Sequence, residues 1–331
     1  KVEVNGTGWV QVLKSGLTDV TKVEFVGTTV DAEICITGGL AILADKQYDI
    51  DVSFNNLTLS KPNPKYGVDY GHSTNYFTCW LRNTNAGENT VTYTNCTVPN
   101  GVSNNQYGKT VFTECNFENA ATGLYNLWVY GGNVEITASA FTGTRGAKVY
   151  TEGTPEKAPT VKVENTIFTG LTEKAAIVVS KAADVTLEKV TASGCTNGFF
   201  QKDIEGSKAD EKVTIAANGS NISGNFNITA NKSADTAKNE FNISAGSFTS
   251  EVSSDYLADG VTIENNGDGT YGVKAGTYVA SVGETKYATL DDAIAALNAD
   301  NHTLTLINDN AWNTATPVYW QAGAESGYTA R

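Results

Sequence analysis

Six eight-residue stretches carry the same order of apolar and polar positions. They are Val52–Leu59 (VSFNNLTL), Val91–Val98 (VTYTNCTV), Thr110–Phe117 (TVFTECNF), Val134–Phe141 (VEITASAF), Val161–Phe168 (VKVENTIF) and Val185–Ala192 (VTLEKVTA). Their starts lie 39, 19, 24, 27 and 24 residues apart. Positions one and three are apolar in nearly every copy (Val52 and Phe54, Val91 and Tyr93, Thr110 and Phe112) and alternate with polar residues, the period of a strand with one buried face. Positions six and eight are also apolar or small (Cys96 and Val98, Cys115 and Phe117, Ser139 and Phe141), so the alternation slips phase between three and six. A bend at position five would turn the later residues inward again. Asn56, Asn95, Glu114, Ala138, Asn165 and Lys189 stand there, and Asn tolerates turn geometry.

A further strand fits before several of these stretches, at Cys79–Leu81, Leu127–Val129, Ala147–Val149, Ile177–Val179 and Phe199–Phe200. Each period therefore holds at least two short strands and a bend, and like positions stack on like positions one period on. That is the mark of a solenoid, whose single repeat cannot bury its inner face alone. Antiparallel hairpins in a sandwich are the competing arrangement, but hairpins would not keep five columns in step.

Several phrases carry a resemblance: YTNCTV (Tyr93–Val98), FTECNF (Phe112–Phe117), YNLWVYGGNVEITASAFTG (Tyr125–Gly143), AKVYTEG (Ala147–Gly153) and KAAIVVS (Lys174–Ser180). They resemble right-handed parallel β-helix proteins of the pectin-lyase-like group. The phrases Phe241–Val273 and Val279–Leu297 are similar to segments that recur in large cell-surface proteins of Gram-positive gut bacteria. The resemblance implies an extracellular, cell-surface location and an architecture. It implies no single activity, because the group mixes adhesins, glycan-binding modules and enzymes.

The expected fold is all-β, with a right-handed parallel β-helix over residues 1–250, an exit segment over 251–276 and a small strand-strand-helix-strand module over 277–331. The N-terminal strands are expected around Val2, Val4, Val10 and Val12, then VEFVG and AEICI within Lys22–Ile36. Val213–Phe248 is expected to continue the stack, with Phe241–Phe248 repeating the column pattern and Phe226–Thr229 an intervening strand. Asn265–Gly269 reads as a hairpin turn. In the last module, Thr289 is placed to cap a helix with Asp291 and Asp292 in its first turn; Leu290, Ala293, Ile294 and Leu297 form its buried stripe.

A chain of 331 residues can bury a sizeable core. Its formal net charge of −13 argues against nucleic acid or an anionic membrane as partner, since both need clustered Lys or Arg. No apolar run reaches the roughly 18 residues of a membrane span, so no insertion is expected. The absence of Met and the abrupt start at Lys1 suggest a piece of a longer polypeptide, so further domains of that polypeptide are expected partners. Of the five cysteines, Cys96 and Cys115 share a column. A spacing of about 4.8 Å between neighbouring strands lies near what a disulfide accepts, but stacked side chains point the same way, which favours free buried thiols.

No P-loop, GxSxG, HExxH or CxxC motif occurs, and no paired carboxylates of the glycosidase kind stand on the strand columns. No metal or cofactor is expected. Glu135, Lys162, Glu164 and Glu188 read as a solvated charged ladder. The candidate ligand-binding residues lie in and beside the long aromatic interval Ser60–Asn85: Tyr66, Asp69, Tyr70, His72, Tyr76 and Trp80. A loop of that content is either a binding loop or a flap packed on the wall, and aromatic faces suit sugar rings. The expectation is a non-enzymatic, adhesin-like segment that binds host glycans or glycoproteins. The alternatives are a carbohydrate-active enzyme with a site near Asp69, His72 and Arg145, where Lys148 and Glu152 lie close by in sequence, or a structural spacer.

Overall fold

The structure is a computed structural model. It describes residues 2–3, 10–13, 22–35, 40–43, 51–60, 76–81, 89–103, 108–150, 159–180, 183–196, 200–203, 213–218, 239–258, 260–307, 320–321 and 329–330. The chain is mostly β and divides into two compact units, residues 1–258 with 262–274, and residues 259–261 with 275–331.

Up to Val213–Asn218, every third described strand of the first unit belongs to the same sheet; Asn239–Ile243 then joins the sheet of Val213–Asn218 directly, and neighbours within these three sheets run parallel. Among the described residues the first sheet has nine strands, running from Lys22–Val26 through Thr90–Thr94, Lys109–Thr113 and Thr160–Glu164 to Asn239–Ile243. The second has eight short strands, among them Thr97–Val98, Asn116–Phe117 and Ala140–Phe141. The third also has eight and includes Phe77–Leu81, Tyr125–Val129, Arg145–Tyr150 and Ile177–Ser180. Each eight-residue stretch of the sequence thus splits at its bend into a strand of the first sheet and a strand of the second. The strands expected before those stretches fall in the third sheet, the last of them as Phe200–Asp203, while Phe199 lies outside the described residues.

The bend is where the pattern placed it. Among the described residues the non-glycine positions with positive φ are Asn56, Asn95, Glu114, Ala138, Asn165 and Lys189, all between 48° and 57°. This left-handed geometry disfavours any residue with a Cβ by about 1–2 kcal/mol. The stack offsets that cost through backbone hydrogen bonds across the bend, such as Asn95 N–H to Thr113 O at 2.9 Å and Glu114 N–H to Thr137 O at 3.0 Å.

The columns are continuous inside the sheets. Phe54, Tyr93, Phe112, Ile136, Val163 and Leu187 pair in register down the first sheet, and none is more than 1% exposed. Rings one strand apart stack nearly parallel: Phe54 on Tyr93 at 5.1 Å, Tyr93 on Phe112 at 4.6 Å, Phe117 on Phe141 at 4.2 Å. In four of the six stretches position six holds a small polar side chain or thiol that bonds the carbonyl two residues back. Ser139 Oγ donates to Thr137 O at 2.9 Å and Thr166 Oγ1 to Glu164 O at 2.8 Å. Cys96 and Cys115 do the same with their thiols, at 3.4 Å to Thr94 O and Thr113 O, and both are free. The neighbouring Cys96 thiol and then burial hold the Cys115 thiol well above its ordinary range.

One expectation fails near the end of the first unit. Phe248 is fully buried, as its column position requires, but Gly246–Phe248 pairs antiparallel with Tyr271–Ala275 instead of extending the second sheet. The reason is that Tyr271–Ala275 returns from a hairpin with Val261–Asn265 and offers a continuous edge. Asn266 N–H to Thr270 O closes that hairpin at 2.9 Å. The exit segment therefore forms a three-stranded antiparallel sheet with the end of the stack. Phe226–Thr229 lies outside the described residues.

The second unit holds an antiparallel sheet ordered Thr285–Tyr287, Ala280–Val282, Leu304–Leu306, with the helix Leu290–Ala295. Thr289 Oγ1 accepts the Asp292 N–H at 3.1 Å and caps the helix. Leu290 and Ala293 are buried against Ala280 and Val282, with Ile294 and Leu297 packed alongside.

Candidate functional site

Most outward side chains of the first sheet are at least partly solvated, with Ser53, 6% exposed and bonded to Glu24, the buried exception among the described residues. Glu135 pairs with Lys109 at 2.7 Å, and Lys162 bridges Glu164 at 3.2 Å and Glu188 at 3.0 Å. Glu188 and then Glu164 raise the Lys162 ammonium above its ordinary range. These are exposed pairs on a strand face, and they converge on no cleft.

The third sheet is different. Its outward column runs Ser103, Trp128, Lys148, Val178 in register. Ser103 is 7% exposed, Lys148 9% and Val178 0%, while Trp128 is half-buried. Around this column sits an aromatic and cationic cluster. Tyr76 and Tyr125 meet the Trp128 ring edge-on, both at 5.9 Å, and Tyr130 stacks on Trp128 at 5.4 Å with 14° between planes. Lys148 Nζ lies 5.1 Å from the Trp128 ring centre and 5.6 Å from that of Tyr125, and Arg145 Cζ lies 5.2 Å from Tyr125, all within cation–π range.

A buried amide pair holds this cluster in place. Asn119 and Asn126 are both 0% exposed. Asn126 Oδ1 accepts the Asn119 N–H at 2.7 Å, and Asn126 Nδ2 donates to Arg145 O at 3.0 Å and Thr142 O at 2.6 Å. Asn119 Nδ2 donates to Tyr125 O at 3.1 Å. Together they fix the corner from which Tyr125 and Arg145 project. Arg145 Nε donates to Glu173 Oε2 at 2.7 Å, and the Gly123 N–H donates to the same oxygen at 3.0 Å. The Gly123 N–H, then Arg145, hold the Glu173 carboxyl below its ordinary range. Glu173 is thus committed to a structural tie and is not poised as a general acid.

Tyr76 is the one proposed ligand residue whose side chain the structure describes. It is 7% exposed, and its hydroxyl accepts the Tyr125 N–H at 3.0 Å. Burial pushes its phenol up to about 12, against the lowering effect of that N–H. The ring therefore props the wall from beneath Trp128. Trp80 stands in the strand Phe77–Leu81, opposite Ala41, and its side chain lies outside the described residues, as do Tyr66, Asp69, Tyr70, His72 and Glu152. The structure adds Tyr125, Trp128, Tyr130 and Glu173 to the candidates and brings Arg145 and Lys148 onto the same wall. The phrase Tyr125–Tyr130 held the signal, with three aromatics in six residues at the start and end of one strand.

Half-exposed aromatic faces beside two cations can hold a ring that presents an apolar face and hydroxyl or acidic groups. Among the described residues, no group of three or more His, Cys, Asp or Glu side chains converges as a metal site would require. Comparison with family models, with curated proteins and with solved structures returned no match to this chain.

Proposed function

We propose that the first unit is a right-handed parallel β-helix of the pectin-lyase-like kind. We propose further that the chain is a non-enzymatic, adhesin-like segment of a secreted or wall-attached bacterial surface protein that binds host glycans or glycoproteins. Three parallel sheets, visited in rotation up to Val213–Asn218, with side chains filed in register, support the architecture. The observation that carries the function is the outer face of the third sheet, where Trp128 and Tyr130 stand half-exposed beside Lys148 and Arg145. The outer face of the first sheet carries instead threonines and exposed ion pairs such as Lys109 with Glu135 and Lys162 with Glu188.

A glycan array and mucin-binding assay on the wild type, Trp128→Ala and Tyr130→Ala tests this. Binding by the wild type should fall on the order of tenfold or more in either variant, as expected for a central aromatic contact. No binding by the wild type would leave a spacer. New reducing ends or unsaturated products from pectic, mucin or milk-type glycans would make it an enzyme.

A further inference from the structure

The corner between the first and second sheets is irregular at one place. In most circuits two residues turn it, as Asn56-Leu57 and Asn95-Cys96 do. Between Lys22–Val26 and Glu33–Cys35 the turn takes residues 27 to 32 instead. Gly27 starts this longer loop, and its N–H donates to Asn55 O at 2.8 Å. A Cβ at Gly27 would lie 2.0 Å from Asn56 O, so only glycine lets the loop lean on the corner of the next circuit. Thr29 O accepts the Ala32 N–H at 3.2 Å and closes it. The loop then stands beside the corner and walls an open groove of about 450 Å³. That is within the range of small-ligand sites.

The groove floor is Asn56, Thr58, Asn95 and Thr97, and its wall is the loop from Gly27 to Val30. None of these side chains is charged, in a chain whose net charge is −13. The floor is also ordered. Asn95 Nδ2 donates to Asn56 Oδ1 at 2.9 Å, which turns the Asn56 amide N–H groups and the Asn95 carbonyl oxygen toward other partners. Thr58 and Thr97 pair in register, so their hydroxyls repeat at about the 4.8 Å spacing of neighbouring strands, close to the span of one hexopyranose ring. Val30, 108% exposed at the rim, supplies an apolar contact. In repeat proteins, insertions of this kind collect on the binding face.

We propose that this groove is a second saccharide site, for a short neutral glycan. Amide and hydroxyl groups in a row match sugar hydroxyls, and the lining holds no cation to pair with the carboxylate of a sialic or uronic acid. The site stands on its own lining and does not depend on the aromatic wall.

Saturation-transfer NMR on the whole chain with neutral disaccharides (lactose, N,N′-diacetylchitobiose, mannobiose) and with sialic and galacturonic acid tests it. Thr58→Val with Thr97→Val keeps the side-chain shape, and circular dichroism checks the fold. At least one neutral disaccharide should bind saturably, and the double variant should lose about tenfold in affinity for two missing hydrogen bonds. The acidic sugars should not compete. Absence of neutral-sugar binding, or binding indifferent to the double variant, would each overturn the proposal. Failure of the wall to bind glycans would leave these results as they are.

Discussion

The first and third sheets share their interior but not their exterior. Inside, both carry unbroken apolar files: Phe112, Ile136 and Val163 in one, Leu127, Ala147 and Ile177 in the other, with none more than 2% exposed. Outside, the first sheet presents Thr92, Val111, Glu135 and Lys162 to solvent or half to solvent, while the third hides Val178 completely and Lys148 almost so. A strand stack needs only its inner face to hold together. The first sheet shows what an outer face looks like when nothing is asked of it. Against that background, the covered and aromatic outer face of the third is where specific structure has been invested.

The widest contrast should come from placing one charge on each outer face. Val178→Asp buries an unpaired carboxylate and should cost roughly 3–5 kcal/mol in chemical denaturation, whereas Val111→Asp should stay near about 0.5 kcal/mol. Equal costs would erase the distinction between the faces.

Tyr76 offers a pH test of the same wall. Its folded pKa is raised from 10.0 to about 12, so the stability tied to its neutral form is intact below pH 10 and is lost as pH climbs toward 12. The loss should approach about 2–3 kcal/mol, since each tenfold difference in proton affinity between the folded and unfolded chain is worth about 1.4 kcal/mol. Thermal melts between pH 9 and 12 should show it, and Tyr76→Phe should flatten that limb. Lys162 on the first sheet loses its pairing in the same direction as pH rises, but it is exposed and screened by solvent, so the limb should survive Lys162→Ala.

The interior columns were legible because an apolar residue every second position, repeated over six circuits, admits one pairing that keeps all files in step. The bend was legible for the same reason: the phase slip between Phe112 and Cys115 demands a turn at Glu114 whatever residue stands there. The outer wall was only faintly legible. Ala175–Val179 is apolar without alternation, the pattern of a strand buried on both faces, yet the aromatics that cluster with Val178, Tyr125 and Trp128, come from another circuit. The pairing at Phe248 was not legible, because FNISAGSF has the column pattern and a period of two does not distinguish a parallel from an antiparallel neighbour. The groove beside Gly27 left no pattern at all, since an insertion is by nature the break in a repeat.

Smaller effects follow at the corners. Ala138 sits at φ 51° and is exposed, so Ala138→Gly should stabilise the chain by about 1 kcal/mol. Gly143→Ala should do the reverse and more, because its φ is 106° and a Cβ would meet Asn119 O at 2.1 Å. Denaturant titrations of the two variants, with opposite signs, check the bend geometry. The smallest effect belongs to the solvated ladder: Lys162→Ala should barely move the denaturation midpoint, and the shift should shrink further in high salt.

The central claim is that equivalent positions of successive circuits lie in one straight file. Spin labels at Glu24, Thr92 and Thr186, with Cys35, Cys79 and Cys195 changed to serine, measure it by pulsed electron resonance. These positions share one register line down the first sheet. With neighbouring strands about 4.8 Å apart, Thr92 to Thr186 should read near about 19 Å and Glu24 to Thr186 near about 29 Å. A Glu24 to Thr186 distance no longer than that from Thr92 would contradict the account.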